Sequence, residues 1–361
     1  MSTHGSPPPR KKNTRTQNFP LASIYLPYEM KDIVDGYKIL DRLSQGHFGA
    51  VFKARHQESS GTYALRLVEC DTLTGAKDAA GHVNKLKELD DFCAILSYVD
   101  AFTDIQDLNV YVCVVTPFED GTTLNDYVLQ HHGVSDQELG VLLCDLSEGL
   151  AFLHQNNVTH GGLTPSNVFL WTDDFLQTRA KIADFGMARV CEHLEEWTYG
   201  GNVYKYFIKR QLGAEYFLPP ECWRGTEVAS LERVDVFSLG AVICAILLHT
   251  SVNVESRRIL ACFVLSGEGH LPLWHNGAAE VLQLPATPIN SLLRKMLKAD
   301  PKQRPDASEV SRVISNAFGK STAKEHRPHF RTRQVCYGFF AVLVAAFAVG
   351  ISAWNAGVLE L

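Results

Sequence analysis

Between residues 37 and 68, apolar and polar positions alternate in short runs rich in aromatic and branched side chains. This pattern predicts strands at 37–40, 50–54 and 63–68, separated by turns. A helical stretch follows at 78–89, and strand-like runs return at 94–102 and 110–115. From Leu124 onward the period changes. Leu139, Leu142, Leu143, Leu146, Leu150 and Leu153 fall at helical spacing across 136–153. Residues 236–249 are apolar nearly all round, which predicts a buried central helix too short to cross a bilayer. The pattern predicts an α+β architecture, a small β-rich lobe followed by a larger α-rich lobe.

Outside these lobes the pattern is of another kind. Residues 1–35 carry Pro7, Pro8 and Pro9 and then Arg10, Lys11 and Lys12, with no apolar signal-peptide core, and read as a disordered tail. Its basic run reads either as a solvated tail or as a localisation or lipid-contact signal. At the other end, Val335 to Trp354 contains no Asp, Glu, Lys or Arg. A helix of that length, rising about 1.5 Å per residue, matches a hydrocarbon core of about 30 Å. The expected organisation is a tail at 1–35, a folded region at 36–318, a basic connector at 319–334, a transmembrane helix at 335–354 and a short luminal tail at 355–361. Lys320, Lys324, Arg327, Arg331 and Arg333 precede the expected span against Glu325 alone, and Glu360 is the one charge after it. That asymmetry predicts a tail-anchored, single-pass protein with the folded region in the cytosol, the endoplasmic reticulum being favoured. Ala341 and Ala345, with Ala346 and Gly350, are spaced for self-association through the span. Cys336, at its edge, reads as an apolar residue or a palmitoylation site.

Composition changes this picture little. The chain has 361 residues, 46% hydrophobic and 20% charged, enough for a substantial core. A net charge of −6 gives no case for nucleic acid as a partner. The nine cysteines are scattered without a CxxC pair, which speaks against a zinc site or a disulfide scaffold and for a reduced, cytosolic domain.

The candidate chemistry lies in ordered motifs. Gly46 and Gly49, between two expected strands, would let backbone N–H groups approach phosphates closely. Ala64 and Arg66 follow on the next strand. Further on come 160–167, opening on His160 and closing on Asn167; Asp184, Phe185 and Gly186; Pro219, Pro220 and Glu221; 235–240, opening on Asp235; and Arg304. In this order the motifs resemble those of the eukaryotic protein kinases over 37–318. The larger lobe, through 216–221, 235–240 and 296–306, further resembles the LIM-protein-interacting kinases. The resemblance implies the bilobal protein-kinase fold, a pairing of Arg304 with Glu221, and a nucleotide cleft. In that cleft Val51 and Ala64 would roof an adenine, Thr116 would stand as gatekeeper before Pro117, and Phe169 would take the floor, either crowding the base or filling its space. Asn167 and Asp184 would be the metal ligands.

The departures weigh more than the matches. Kinases use an Asp to accept the substrate proton, a strand Lys paired with a helix Glu, and an Asp and an Asn on magnesium. Here the base position is Gly162, and the Arg before it is Gly161. Thr164 stands where Ser/Thr kinases place a Lys, and Arg66 replaces the strand Lys. The helix Glu would fall near His82 or Val83, and Glu88 comes too late. Asp173 and Asp174 are conceivable substitute bases but lie past Asn167 in an expected turn. Lys53 reads as a solvent-facing residue, the alternative being a displaced phosphate-binding Lys. The expectation is a membrane-tethered pseudokinase: a non-catalytic scaffold or allosteric partner of an unknown protein, with at most weak binding of ATP and Mg2+. The alternatives are an active Ser/Thr kinase with an unusual catalytic loop and a nucleotide-sensing module without phosphotransfer.

Overall fold

The computed structural model describes residues 32–46, 49–59, 61–106, 108–130, 134–188, 190, 217–223, 228, 230–247 and 287–322. The first lobe is a six-stranded antiparallel sheet: β1 (Ile33–Val34), β2 (Tyr37–Gly46), β3 (Gly49–His56), β4 (Thr62–Cys70), β5 (Asp100–Gln106) and β6 (Asn109–Pro117), in the order β1-β2-β3-β4-β6-β5. Asp35 and Gly36 both take positive φ, 45° and 80°, which suits the two-residue turn joining β1 to β2. One sheet face packs Phe52, Leu65, Leu67, Tyr111, Cys113 and Val115 into a small core of its own. The other, carrying Val68, Val112 and Val114, joins the main core with helix α1 (Leu73–Leu86). Thr72 caps α1 by accepting from Gly75 N, and Ala76, Ala79, Ala80, Val83 and Leu86 form its buried stripe.

The second lobe holds β7 (Thr122–Thr123), β8 (Val168–Thr172) and β9 (Thr178–Ile182) as a three-stranded sheet over a helical body. Its helices are α2 (Leu124–Gln130), α3 (Asp136–Gln155), α4 (Pro220–Trp223), α5 (Leu231–Leu247), α6 (Pro288–Met296) and α7 (Ala307–Thr322), with short 3-10 turns at Pro165–Asn167 and Pro301–Gln303. Ser135 caps α3 through Glu138 N, and Leu142, Leu143, Leu146, Leu150 and Leu153 are fully buried along it. Helix α5 is buried on nearly every side, as its apolar sequence predicts.

Two expectations shift. The strand expected over 94–102 forms only from Asp100. Before it, Leu96 N donates to Ile182 O and Ile182 N to Ala94 O, both at 2.8 Å. The stretch is thus shared between the lobes: Ala94 and Leu96 bond to β9 of the second lobe, and Val99 N donates to Val115 O on β6 of the first sheet at 2.8 Å. Helix α7 runs to Thr322, past the boundary expected at 318.

The expected fold class needs correction at the C-terminal helix. Among the described residues no helix is long and apolar enough to cross a membrane. The longest, α3, carries Asp136, Glu138, Asp145 and Glu148, and the apolar α5 has 17 residues against the roughly 20 a span requires. The transmembrane helix expected at 335–354 lies outside the described residues. Among the described residues the fold class is therefore the bilobal fold without a spanning helix, and the expected single-pass membrane location, with its preference for the endoplasmic reticulum, is corrected to that extent.

Candidate functional site

Sheet register gathers the roof of the cleft. Val51 pairs with Arg66 and Arg66 with Val114, while Lys53 pairs with Ala64 and Ala64 with Thr116. Directly paired residues share a face. Val51, Ala64, Arg66 and Thr116, expected to line a nucleotide site, therefore stand together, and Lys53 stands with them. Its ammonium lies over the Phe118 ring, 4.2 Å from the centroid, and the residue is half-buried. Below, Phe169 pairs with Lys181 and Thr123. Lys181 in turn pairs with Glu119 at 2.5 Å and lies 5.0 Å from the Trp171 ring centroid. Each side of the cleft is thereby tied to the 118–119 segment by a lysine, Lys53 from the roof and Lys181 from the floor.

Gly46 and Gly49 form the closing pair of the β2–β3 hairpin. Gly49 has φ 106°, and a Cβ there would lie 2.0 Å from Leu67 O. The close approach of β4 already demands glycine at this position, whatever binds beneath it.

The loop at 160–167 is held from below. Asp235, fully buried on α5, accepts from His160 N (2.7 Å), Gly161 N (2.8 Å) and the His154 ring (3.0 Å). The His160 ring bonds to Ala183 O at 3.0 Å, and burial pushes its pKa below the ordinary value in spite of Asp235 and Asp184 nearby. Gly161 has φ 77°, a conformation open to glycine. Gly162 offers the loop only its backbone, and its carbonyl accepts from Asn167 Nδ2 at 3.2 Å. Thr164 Oγ1 donates to Asn167 Oδ1 at 3.4 Å, so both ends of the Asn167 amide are engaged. Arg304 makes the expected pair with Glu221, two-pronged at 2.6 and 2.9 Å, and also donates to the carbonyls of Lys298, Ala299 and Arg233.

At the inner end of the cleft, Arg66 Nη2 donates to Asp184 Oδ2 at 2.7 Å, the two side chains being 15% and 13% exposed. The cause lies on α1. A Cβ at Gly186 would meet Leu86 Cδ1 at 2.6 Å and His82 Nε2 at 3.6 Å, so position 82 does face the 184–186 segment. It offers no carboxylate, and Glu88 lies beyond the end of the helix. The guanidinium turns instead to Asp184. A second contact, missed by the sequence reading, fixes the same segment: Tyr98 OH donates to Phe185 O at 2.7 Å, with the two rings 4.9 Å apart. Phe185 is fully buried, Asp184 has φ 59° and Gly186 φ 74°. Burial raises the Tyr98 pKa well above the ordinary value, which keeps its hydroxyl a donor.

These residues fit an adenine and a phosphate chain better than they fit a magnesium ion. The Asp184 carboxylate is partnered by a cation and the Asn167 amide by Gly162 and Thr164. Two unit charges 4 Å apart repel by about 4 kcal/mol at an effective dielectric constant near 20, and a dication doubles that. Nor do the described residues gather three or more His, Cys, Asp or Glu side chains as a metal cluster. Asp173 and Asp174 are no nearer to a catalytic role. Asp173 Oδ1 accepts from Phe175 N and Gln177 N, both at 2.9 Å, which closes the β8–β9 turn, and Asp174 is exposed beside it.

Comparison with known proteins agrees with this geometry. Residues 37–313 match the family model described as "Protein kinase domain". The chain is 28% identical over 280 residues to "Sucrose non-fermenting protein kinase 1" of Fusarium virguliforme, covering 74% of this chain and 36% of that protein. It is 26% identical over 286 residues to "Serine/threonine-protein kinase Nek3" of Mus musculus, covering 77% and 49%. It thus spans between about a third and a half of these curated relatives. With its two-lobed fold, its buried Asp235 and Arg304–Glu221 anchors and a family match over most of its length, this chain belongs to the protein kinase family.

Proposed function

We propose that this chain is a kinase-fold protein without phosphotransfer activity, acting as a binding platform or allosteric partner for another protein. The observation that carries the reading is Gly162. The motif order aligns Gly162, which bears no side chain, with the family's catalytic base, and the hold of Asp235 on His160 N and Gly161 N supports that alignment. General-base catalysis contributes about 10²–10⁴-fold, and among the described residues no adjacent carboxylate replaces it. The carboxylate of Asp173 is spent on its own turn. Thr164, at the position of a phosphate-binding Lys, bonds to Asn167 instead. Asp235 and Arg304 meanwhile keep their anchoring contacts in the second lobe.

Protein kinases as a family work with ATP and Mg2+. The test is therefore phosphoryl transfer by the purified full chain, from ATP to itself and to generic protein substrates, with magnesium and with manganese. The expected outcome is no turnover above a no-enzyme blank. Turnover in the ordinary kinase range of about 1–100 s⁻¹ would overturn the reading in favour of an active Ser/Thr kinase.

A further inference from the structure

The cleft keeps features that a bare scaffold does not need. Val51, Ala64 and Thr116 still share one face of the roof, and a guanidinium stands at its inner end. Arg66 has five N–H donors, and among the described residues its one side-chain partner is Asp184, reached through Nη2. Positions 82 and 83 on α1, where the family's helix acid would fall, are His82 and Val83. Among the described residues none engages its Nε or Nη1, and these donors suit an anion. A planar fork of this kind suits two phosphate oxygens better than a lysine ammonium does.

The two residues that would hold a divalent cation are meanwhile taken up. Arg66 occupies Asp184, and Thr164 with Gly162 occupies the amide of Asn167. A cation beside Asp184 has thus been built into the chain. We infer that Arg66 is the resident cation of this cleft, and that the cleft takes a phosphate-bearing adenine nucleotide directly on its guanidinium, without a divalent metal. The inference rests on the non-catalytic reading of the same cleft and adds the form of ligand it takes. Asp184 then neutralises and orients Arg66 rather than coordinating a metal. The Tyr98 contact to Phe185 O keeps the segment that carries Asp184 in place whether or not ligand is present.

The consequences differ in sign from those of a metal-dependent site. Binding of ATP, ADP and adenosine to the full chain is measured by thermal shift and by displacement of a fluorescent ATP analogue, in EDTA and in millimolar magnesium. ATP and ADP are expected to bind with dissociation constants equal within about twofold in the two buffers, and adenosine more weakly than either. Arg66→Met is expected to weaken ATP by about tenfold or more, the worth of a charge-assisted contact, and to leave adenosine unchanged. Unchanged adenosine binding also reports that this variant is folded. Asp184→Asn is expected to retain ATP binding in both buffers, because the asparagine oxygen still accepts from Arg66 and no metal ligand is lost; in a metal-dependent site the same change abolishes the binding seen in magnesium. Binding that needs magnesium, binding lost in Asp184→Asn, or no ATP binding in either buffer would each overturn the inference. None of these touches the non-catalytic reading, which stands or falls on phosphoryl transfer measured in the same samples.

Discussion

Asp235 accepts the backbone N–H of Gly161 at 2.8 Å with one carboxylate oxygen, while its other oxygen takes the His160 N–H at 2.7 Å and the His154 ring at 3.0 Å. A loop emptied of catalytic side chains is still held by a fully buried anchor. Replacing that anchor strands several donors in a dry interior at once. Each unmet buried donor costs about 1–3 kcal/mol, and breaking a buried charged contact costs about 3–5 kcal/mol. Asp235→Ala is therefore expected to lose about 3–5 kcal/mol in urea unfolding. A loss below about 1 kcal/mol would show that the loop is not anchored through this carboxylate.

Gly161 occupies the position of the family's loop arginine, and its φ of 77° explains why simple restoration should be costly. A Cβ there would lie 2.6 Å from Ala188 Cβ. Left-handed backbone in a non-glycine residue costs of order 1–3 kcal/mol, and the contact with Ala188 adds to it. Gly161→Arg and Gly161→Ala are both expected to lower the unfolding midpoint, by similar amounts, because the strain arises at the Cβ they share. A wild-type midpoint for Gly161→Arg would mean that the backbone relaxes and that the glycine is incidental.

The two lobes were legible because they depend on local periodicity. Helices α3 and α5 follow directly from leucine spacing and from an apolar circumference. The Arg304–Glu221 pair was legible too, since both residues sit in ordered motifs. Strand parity places Val51, Ala64, Arg66 and Thr116 on one face once the register is known. Parity does not say how far a long side chain reaches, and so Lys53 was expected in solvent although its ammonium lies over Phe118. The Arg66–Asp184 pair was equally out of reach. It joins positions 118 residues apart, and position 82, which faces the 184–186 segment from α1, is a histidine and not an acid, a fact about a third residue rather than about either of the two. The stretch before Asp100 read as a strand from its residue types; that Ala94 and Leu96 bond to β9 while Val99 bonds to β6 is a matter of tertiary contact.

His160 gives the fold a predictable response to acid. Its ring is buried, with a pKa lowered from 6.5 chiefly by loss of hydration, Asp235 and Asp184 opposing the shift. The unfolded chain takes up this proton at a higher pH than the folded one does. Stability from this group is therefore full above about 6.5 and falls as pH drops below it, by at most about 1.4 kcal/mol per pH unit. His160→Phe removes the titration and keeps an apolar ring. Urea unfolding at about pH 7.5 and 5.5 should show a smaller loss for the variant than for the natural chain, the carboxylates contributing alike to both. Equal losses would mean that the His160 ring is hydrated enough to charge in place.

Restoring the base alone should not restore catalysis. Gly162→Asp returns a carboxylate to the loop and, with it, a factor of about 10²–10⁴. Yet Arg66 still holds the Asp184 carboxylate at 2.7 Å, and Thr164 still bonds to Asn167 where a phosphate-binding lysine belongs. Three further changes address these points. Arg66→Lys shortens the hold on Asp184. His82→Glu supplies an acid from the position on α1 that already faces the 184–186 segment, with His82 Nε2 standing 3.6 Å from where a Gly186 Cβ would lie. Thr164→Lys replaces the missing phosphate contact. Phosphoryl transfer to the chain itself, followed with labelled ATP and magnesium, should stay at the blank for Gly162→Asp and rise above it for the fourfold variant, while remaining below the ordinary range of about 1–100 s⁻¹. Gly161 is kept in both because of its positive φ, which leaves the loop geometry unchanged between them. Equal turnover above the blank in the single and fourfold variants would show that the Arg66–Asp184 pair is no barrier to magnesium, and that the absent base at position 162 is the lesion that matters.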